Sequence, residues 1–182
     1  RPSDQKAVIL DGVLVAYHQD ESATFTVPQG VREIGDNAFF DTYYLEELII
    51  PEGVERIGVR AFSKGYHLKR IQLPESVTKL GGYLCFGSRK LEEINLPKGL
   101  EELPDGIFRH CDSLRQLTLP EGLKRIGGYC FSGTKIQELK LPDTLEEVSR
   151  LAFDGSKFEK MELPERVKRT ELEKYPSFFF DY

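Results

Sequence analysis

The chain repeats one pattern of apolar residues and prolines along most of its length. Seven of its ten prolines lie 22 or 23 residues apart. A branched apolar residue follows each of these prolines by three positions, and in most units a second follows three positions later. The prolines are Pro28, Pro51, Pro74, Pro97, Pro120, Pro142 and Pro164. Periodicity of this kind predicts an architecture built from stacked repeats.

Each unit closes with apolar residues in the order L-x-x-L-x-L, just before the next proline. Examples are Leu45, Leu48 and Ile50 in the first unit and Leu68, Ile71 and Leu73 in the second. Alternation at the end of this segment predicts a short strand with one buried face. Proline then ends the strand, because it has no N–H to donate to a ladder. No unit can bury its own leucines, so we expect the strands of successive units to stack in parallel.

The middle of each unit carries a glycine and a small–aromatic pair. The glycines are Gly35, Gly58, Gly81 and Gly127, and the pairs are Ala38-Phe39, Ala61-Phe62, Ile107-Phe108, Cys130-Phe131 and Ala152-Phe153. We expect these pairs to insert into the core. The third unit departs from the pattern, because its aromatic residue, Phe86, is displaced by one position. In the fourth unit Pro104 stands where glycine is usual.

These features lie within the range of the leucine-rich repeats, whose period is about 20–29 residues. The unit P-x-x-V-x-x-I-G-x-x-A-F-x(5)-L-x-x-L-x-L resembles the BspA-like leucine-rich repeats of bacterial cell-surface proteins. This resemblance covers residues 28–163 and touches the lead-in at 10–17. It implies a mainly β, right-handed leucine-rich-repeat solenoid of about six 22–23-residue repeats with terminal caps. It also implies a bacterial surface protein that contacts host matrix proteins, host cells or other bacteria.

We expect one structural domain with capped ends. Residues 1–27 are predicted to form a β-hairpin cap around Asp11-Gly12, a strong hairpin dipeptide. Residues 28–163 hold the repeats. Residues 164–182 are predicted to form an aromatic cap over the last coil. Its aromatic side chains are Tyr175, Phe178, Phe179, Phe180 and Tyr182.

Charge and composition exclude several classes of partner. The net charge is −5, from 25 basic and 30 acidic residues spread evenly along the chain. No basic block indicates nucleic acid or anionic lipid as a partner. No apolar run approaches the roughly 18 residues of a membrane span. The chain begins at Arg1, so we expect that a signal peptide has been removed and that the protein is extracellular or on the cell surface.

Residues typical of catalysis or metal binding do not form a recognisable site. The histidines His18, His67 and His110 are scattered and fit no metal or nucleophile motif. The cysteines Cys85, Cys111 and Cys130 lie in successive units, at positions where we expect the repeat to favour small buried residues, and we interpret them as small core residues. A disulfide between two of them stays open at this point, because it depends on their Cα spacing. We therefore predict no enzymatic activity, no cofactor and no metal.

Exposed positions of the strands form rows from unit to unit. In the first row, and in rows like it, the sign of the charge mostly alternates. Its members are Glu46, Lys69, Glu92, Arg115, Gln137 and Glu159. Such rows support register and solubility. They favour the alternative of a structural spacer within a larger surface protein.

A third row is mostly uncharged and favours binding. Its first four members are Ile49, Gln72, Asn95 and Thr118, and Tyr43, Tyr44 and Tyr66 lie just before the first two strands. Tyrosines are favoured interface anchors, and the inner surface of a solenoid is the one an extended ligand meets. These seven residues are the predicted ligand-binding site. The hypothesis is an adhesin-like module that binds a protein ligand, and we expect it to be a monomer.

Overall fold

The computed structural model describes residues 6–158 and 163–170. In those residues it shows strands, turns and no helix. The strands are β1 (Ala7–Leu10), β2 (Val13–Tyr17), β3 (Thr24–Thr26), β4 (Glu33–Ile34), β5 (Glu47–Ile49), β6 (Arg56–Ile57), β7 (Arg70–Gln72), β8 (Lys79–Leu80), β9 (Glu93–Ile94), β10 (Glu102–Leu103), β11 (Arg125–Ile126), β12 (Glu147–Ser149) and β13 (Lys168–Thr170).

These strands form three sheets along two sides of a solenoid. The L-x-x-L-x-L segments supply one sheet, in the order β3-β5-β7-β9. A second sheet has the order β1-β2-β4-β6-β8, in which the V-x-x-I segments supply β4, β6 and β8. The V-x-x-I segments also supply all of the third sheet, β10-β11-β12-β13. Within the described residues, every strand pair is parallel except the β1–β2 hairpin, so the predicted parallel stacking and fold class are confirmed.

The hairpin at the start of the chain turns at Asp11 and Gly12. Both residues have positive φ, 49° and 79°, as a tight two-residue turn requires. β2 then pairs in parallel with β4, so the hairpin is joined to the stack of repeats. At the other end, β13 pairs with β12 and continues the stack past Pro164. The predicted aromatic residues Tyr175, Phe178, Phe179, Phe180 and Tyr182 lie outside the described residues.

The third side of each coil is a turn held to the following coil by backbone hydrogen bonds. Phe39 N–H donates to Ala61 O at 2.8 Å, and Phe62 N–H donates to Leu84 O at 2.9 Å. Two positions in the first five of these turns, and one in the sixth, adopt positive φ at the repeat spacing. Residues of the first position are Asn37, Arg60, Tyr83, Gly106 and Tyr129, and residues of the second are Asp41, Lys64, Gly87, His110, Gly133 and Gly155. The turn geometry is therefore dictated by the repeat, even where no glycine is present.

Phenylalanines fill the interior at one position of each coil. Phe39, Phe62, Phe108 and Phe131 are fully buried. In the third unit this position is held by Cys85, which is also fully buried, and Phe86 is only half-buried. Cys85 therefore occupies an aromatic position, not the small-residue position that we expected. The row of buried rings is interrupted at this unit.

All three cysteines are buried and free. Burial raises the pKa of the Cys85 and Cys130 thiols and raises that of Cys111 well above its ordinary value. Each of the latter two thiols contacts a carbonyl: Cys111 Sγ lies 3.1 Å from Cys85 O, and Cys130 Sγ lies 3.1 Å from Pro104 O. The cysteines are thus core residues held as neutral thiols.

The ladder on the V-x-x-I side is broken between the third and fourth units. Gly58 N–H donates to Ile34 O at 2.8 Å, and Gly81 N–H donates to Ile57 O at 2.7 Å. Pro104 holds the next equivalent position and has no N–H, so it cannot donate to Leu80 O. This explains why β8 ends one sheet and β10 begins another.

The predicted strands are also missing on the L-x-x-L-x-L side of the fourth and fifth units. Residues 114–119 and 136–141 form no strand, although their apolar pattern matches that of the earlier units. Apolar spacing specifies which side chains face the core. It does not guarantee the backbone pairing that defines a strand.

Candidate binding face

The sheet β3-β5-β7-β9, continued by residues 115–119 and 137–141, forms a surface that we call the strand face. The row predicted to bind a ligand lies on it. Ile49 and Gln72 are register partners in β5 and β7. Asn95 directly follows β9, and Thr118 lies in the fourth unit, outside any strand. Gln72, Asn95 and Thr118 are exposed, whereas Ile49 is half-buried.

Asn95 already uses its side chain within the solenoid. Its Oδ1 accepts a hydrogen bond from Leu73 N–H at 2.8 Å, and its Nδ2 donates to Leu73 O at 2.7 Å. The amide therefore pairs with the backbone of the preceding unit as a neighbouring strand would. Both polar atoms of the Asn95 amide therefore already have hydrogen-bond partners within the solenoid. A ligand would contact the remaining exposed surface of this side chain.

The three predicted tyrosines lie together in an exposed aromatic cluster. Tyr43, Tyr44 and Tyr66 are 51%, 46% and 46% exposed. The ring centroid of Tyr43 lies 5.2 Å from that of Tyr44 and 6.1 Å from that of Tyr66. The His67 ring packs edge-on against Tyr43 at 4.8 Å. We call Tyr43, Tyr44, Tyr66 and His67 the aromatic rim.

Hydrogen bonds fix the backbone and rings of the aromatic rim. Tyr43 N–H donates to Gln19 Oε1 at 2.6 Å, and His67 Nδ1 lies 2.7 Å from Tyr43 O. The side chain of Tyr66 hydrogen-bonds the Asp41 carboxylate, which raises the pKa of the tyrosine. The Tyr43 backbone and the Tyr66 ring are therefore held in defined positions, which lowers the entropy lost when they contact a partner.

Phe40 was not predicted as a site residue. It is 38% exposed, and Lys64 Nζ lies 5.5 Å from its ring centroid. The sequence did contain a signal, because Phe40 directly follows the buried Phe39 and cannot share its position in the core. It is a further exposed aromatic side chain, three residues before Tyr43 in the chain.

A groove of about 790 Å³ lies on the strand face. Gln72, Asn95 and Thr118 line it, whereas the three tyrosines and Ile49 do not. The structure thus divides the predicted site into two areas: the aromatic rim and the groove. Sequence rows could place residues on a common face, but they could not show where that face opens.

Ion pairs join equivalent positions of successive units, as the charge rows predicted. Arg56 Nη2 lies 2.9 Å from Glu33 Oε2, and Lys69 Nζ lies 2.9 Å from Glu46 Oε2. A third close pair joins Lys124 Nζ to Glu101 Oε1, also at 2.9 Å. These pairs are exposed to solvent, so each contributes little to stability. Their contribution is to register and solubility.

Neither a metal-ligand cluster nor a long apolar helix is formed in the described residues. Within residues 6–158 and 163–170, no group of three or more His, Cys, Asp or Glu side chains is placed to hold a metal ion. The same residues contain no helix long and apolar enough to cross a membrane.

Comparisons with known proteins agree with the fold. A family model described as BspA type leucine rich repeat region matches six copies, over residues 16–115 and 101–178. A leucine rich cell surface protein from Faecalibacterium prausnitzii superposes with a TM-score of 0.80 and 25% identity, over 92% of this chain and 49% of that one. A leucine-rich repeat protein from Bacteroides ovatus gives a TM-score of 0.66 and 25% identity, over 90% of this chain and 51% of that one.

A third similar structure is the pneumococcal vaccine antigen PcpA. Its TM-score is 0.51 at 26% identity, over 82% of this chain and 47% of that one. The chain therefore spans about half the length of these relatives. No curated protein matched the sequence.

Proposed function

This chain belongs to the BspA-type leucine-rich repeat family, and on that premise we propose that it is an adhesin-like module that binds a protein ligand outside the bacterial cell. Leucine-rich solenoids are in general binding or scaffold folds and not catalytic ones. We place the protein on the cell surface or in the secreted fraction, as a monomer. Its ligand is a host matrix or cell-surface protein.

The observation that carries this proposal is the aromatic rim. Three tyrosines, each more than a third exposed, lie in one cluster with His67. Exposed apolar residues are ordinary when they are scattered, but a contiguous patch marks an interaction site. Tyrosine is enriched among the residues that dominate binding energy, because it offers a large contact area with few rotatable bonds.

The strand face beside the aromatic rim supports the same proposal. Its parallel ladder from β3 to β9 holds Ile49 and Gln72 in fixed register. A rigid surface loses little conformational entropy when a partner docks on it. Tyr43, Tyr44, Tyr66, Ile49 and Gln72 are accordingly the residues proposed to contact the ligand first.

A second candidate function is that of a structural spacer within a larger surface protein. The observation that favours it is the set of ion pairs between equivalent positions of successive units, which stabilise the stack and need no ligand. The two functions make opposite predictions for a binding experiment.

The test is a binding screen of the purified chain against immobilised matrix proteins, serum proteins and glycans. It includes the variant Tyr43→Ala/Tyr44→Ala/Tyr66→Ala, with an unchanged circular dichroism spectrum as evidence of folding. Its matched control is Leu10→Ala/Val15→Ala, which removes exposed apolar surface from the hairpin, where the side chains are 60% and 37% exposed.

We expect saturable binding to a protein that the tyrosine variant loses and the hairpin variant keeps. Binding that survives in the tyrosine variant would refute the aromatic rim as the contact site. If the chain binds nothing in the panel, the spacer function is favoured instead.

A further inference from the structure

The turns on the third side of the solenoid bring basic residues of different units together. In the turns of the second to fifth units, residues 58–67, 81–90, 104–113 and 127–136, six lysine and arginine residues stand against two aspartates. The six are Arg60, Lys64, Arg89, Lys90, Arg109 and Lys135. The whole chain, by contrast, has a net charge of −5. Because these residues belong to four units, they form no basic block in the sequence, and only the stacking of coils gathers them.

Contacts between neighbouring turns hold the basic residues in fixed register. Lys64 N–H donates to Phe86 O at 2.8 Å, and Gly87 N–H donates to Arg109 O at 2.9 Å, so the second, third and fourth units are joined here. The Phe86 ring packs edge-on against the His110 ring, with 5.6 Å between the centroids. These contacts define one continuous surface. We call its basic side chains the turn patch: Lys64, Arg89, Arg109, His110 and Lys135.

The two aspartates of these turns leave the turn patch positive. Asp105 is buried, and its Oδ1 accepts a backbone hydrogen bond at 2.7 Å. The second, Asp112, has its Oδ2 3.7 Å from Arg89 Nε. Burial lowers the pKa of His110, and the charges of Arg109 and Arg89 lower it further, whereas Asp112 raises it. Two cations that oppose the protonation of a third group indicate a positive potential at this point.

The turn patch follows the axis of the solenoid. Lys64 lies in the second unit, Arg89 in the third, Arg109 and His110 in the fourth, and Lys135 in the fifth. At about 4.8 Å per step from coil to coil, the patch is about 15 Å long. Each of four successive units therefore supplies at least one basic side chain to a linear array.

We propose that the turn patch binds a linear sulfated polysaccharide, which lies along the axis of the solenoid. Such a chain carries ionised sulfate groups along its length, and the charges of the array complement them. Arginine is suited to oxyanions, because its guanidinium presents paired N–H donors in a fixed plane. This inference rests on the proposed function in placing the chain outside the cell, but it uses a different side of the solenoid and a different class of ligand.

The backbone of these turns favours a polysaccharide over an acidic polypeptide. The N–H groups of Lys64, Gly87 and His110 all donate to carbonyls of the following coil, so they are used within the solenoid. Extended polypeptides commonly gain affinity from main-chain hydrogen bonds, which these amides do not offer. Recognition by the turn patch therefore depends on side chains. Phe86 is only half-buried, so it offers an apolar surface among the cations to the C–H face of a sugar ring.

The test titrates a short, size-defined heparin oligosaccharide against the intact chain and against Arg89→Gln/Lys135→Gln, at low and at physiological salt. Both replaced side chains are exposed, so the variant should fold, and an unchanged circular dichroism spectrum checks this. The matched control variant is Lys79→Gln/Arg169→Gln, which removes the same charge from exposed positions in β8 and β13. Two further probes are the desulfated form of the same oligosaccharide and poly-glutamate of similar total charge.

We expect the heparin oligosaccharide to bind the intact chain, and to bind more weakly as salt screens the charges. The patch variant should weaken binding about tenfold, and the control variant should leave it nearly unchanged. Desulfated oligosaccharide and poly-glutamate should both bind more weakly than heparin. Three results would overturn the proposal: no binding of heparin, equal loss in both variants, or equal binding of the desulfated form. Tighter binding of poly-glutamate would overturn it too, and would indicate an acidic protein segment as the ligand.

This experiment separates the turn patch from the aromatic rim. If heparin fails to bind but the tyrosine-dependent protein partner is found, the inference about the turn patch is wrong and the proposed function stands. If heparin binds and the patch variant loses it while the protein panel gives nothing, the turn patch stands and the aromatic rim is wrong. The patch variant should keep the protein binding that the tyrosine variant loses.

Discussion

Replacing Phe131 with alanine should remove one of the main supports of the interior. The ring is fully buried and packs against three others, with centroids 6.4 Å from Phe108, 5.5 Å from Phe153 and 6.0 Å from Phe158. Removing the ring takes away about 150 Å² of buried apolar surface. At about 25 cal/mol per Å², this corresponds to about 4 kcal/mol. Truncations of buried phenylalanine typically cost about 3–5 kcal/mol, so the structure predicts a loss in that range.

The assay is urea unfolding followed by circular dichroism, with the free energy of unfolding obtained by linear extrapolation. The matched control is Phe86→Ala. Phe86 is the displaced aromatic of the third unit and is half-buried against Tyr83 and His110. Its loss should cost about 1–2 kcal/mol, because less area leaves water. A cost below about 1 kcal/mol for Phe131→Ala would refute the burial of that ring, and equal costs would refute the distinction between the two positions.

Two further predictions concern close packing and pH. Gly81→Ala should lower the free energy of unfolding by about 1–3 kcal/mol, because the new Cβ would lie closer than 3.0 Å to the backbone of Gly58. The control is Gly99→Ala, whose Cβ would meet nothing closer than 3.4 Å. It should be nearly neutral in the same urea assay. Burial, with Arg109 nearby, lowers the pKa of His110 below its ordinary value of 6.5. Below that pH the folded state therefore binds fewer protons than the unfolded state. The stability present above pH 6.5 should consequently be lost as the pH falls. His110→Asn keeps a residue that tolerates the φ of 60° and should show a smaller loss of thermal stability on acidification; an equal loss would contradict this linkage.

Repetition explains why so much of the fold could be predicted from the sequence. Each apolar position recurs with the same spacing. If one residue is assigned wrongly in one unit, the equivalent residues of the other units show the error. Leu48 and Ile71 were assigned to the core on this basis, and both are buried. The charge rows followed from the same register, which brings Glu33 opposite Arg56 and Glu47 opposite Arg70.

The candidate sites depend on departures from the repeat, which a periodic pattern hides. The apolar residues of 114–119 match those of earlier units, yet residues 115–119 have no backbone hydrogen bond to β9. Whether two backbones reach hydrogen-bonding distance depends on the lateral packing of whole coils and on loop lengths, which apolar spacing does not encode. Pro104 is the exception, because its missing N–H identifies from sequence alone where the opposite ladder must break.

For the aromatic rim, exposure could be predicted from the sequence, but the grouping of the side chains could not. Its tyrosines were recognised as exposed because they fall outside the repeating apolar positions. Their grouping with His67 joins residues of two successive units, and the turn before them contains Asp41, which has a φ of 63°. That conformation belongs to the turn of each coil and could not be read from one unit.

The most direct test of this account is residue-resolved hydrogen–deuterium exchange of the free chain. It asks whether the strand face is an ordered sheet that ends at β9 and opens into a groove. We predict slow exchange for amides in β5, β7 and β9, which lie in the parallel ladder, and exchange at least about a hundredfold faster for residues 115–119. Protection extending evenly through 115–119 would show a continuous, closed sheet and would contradict the groove.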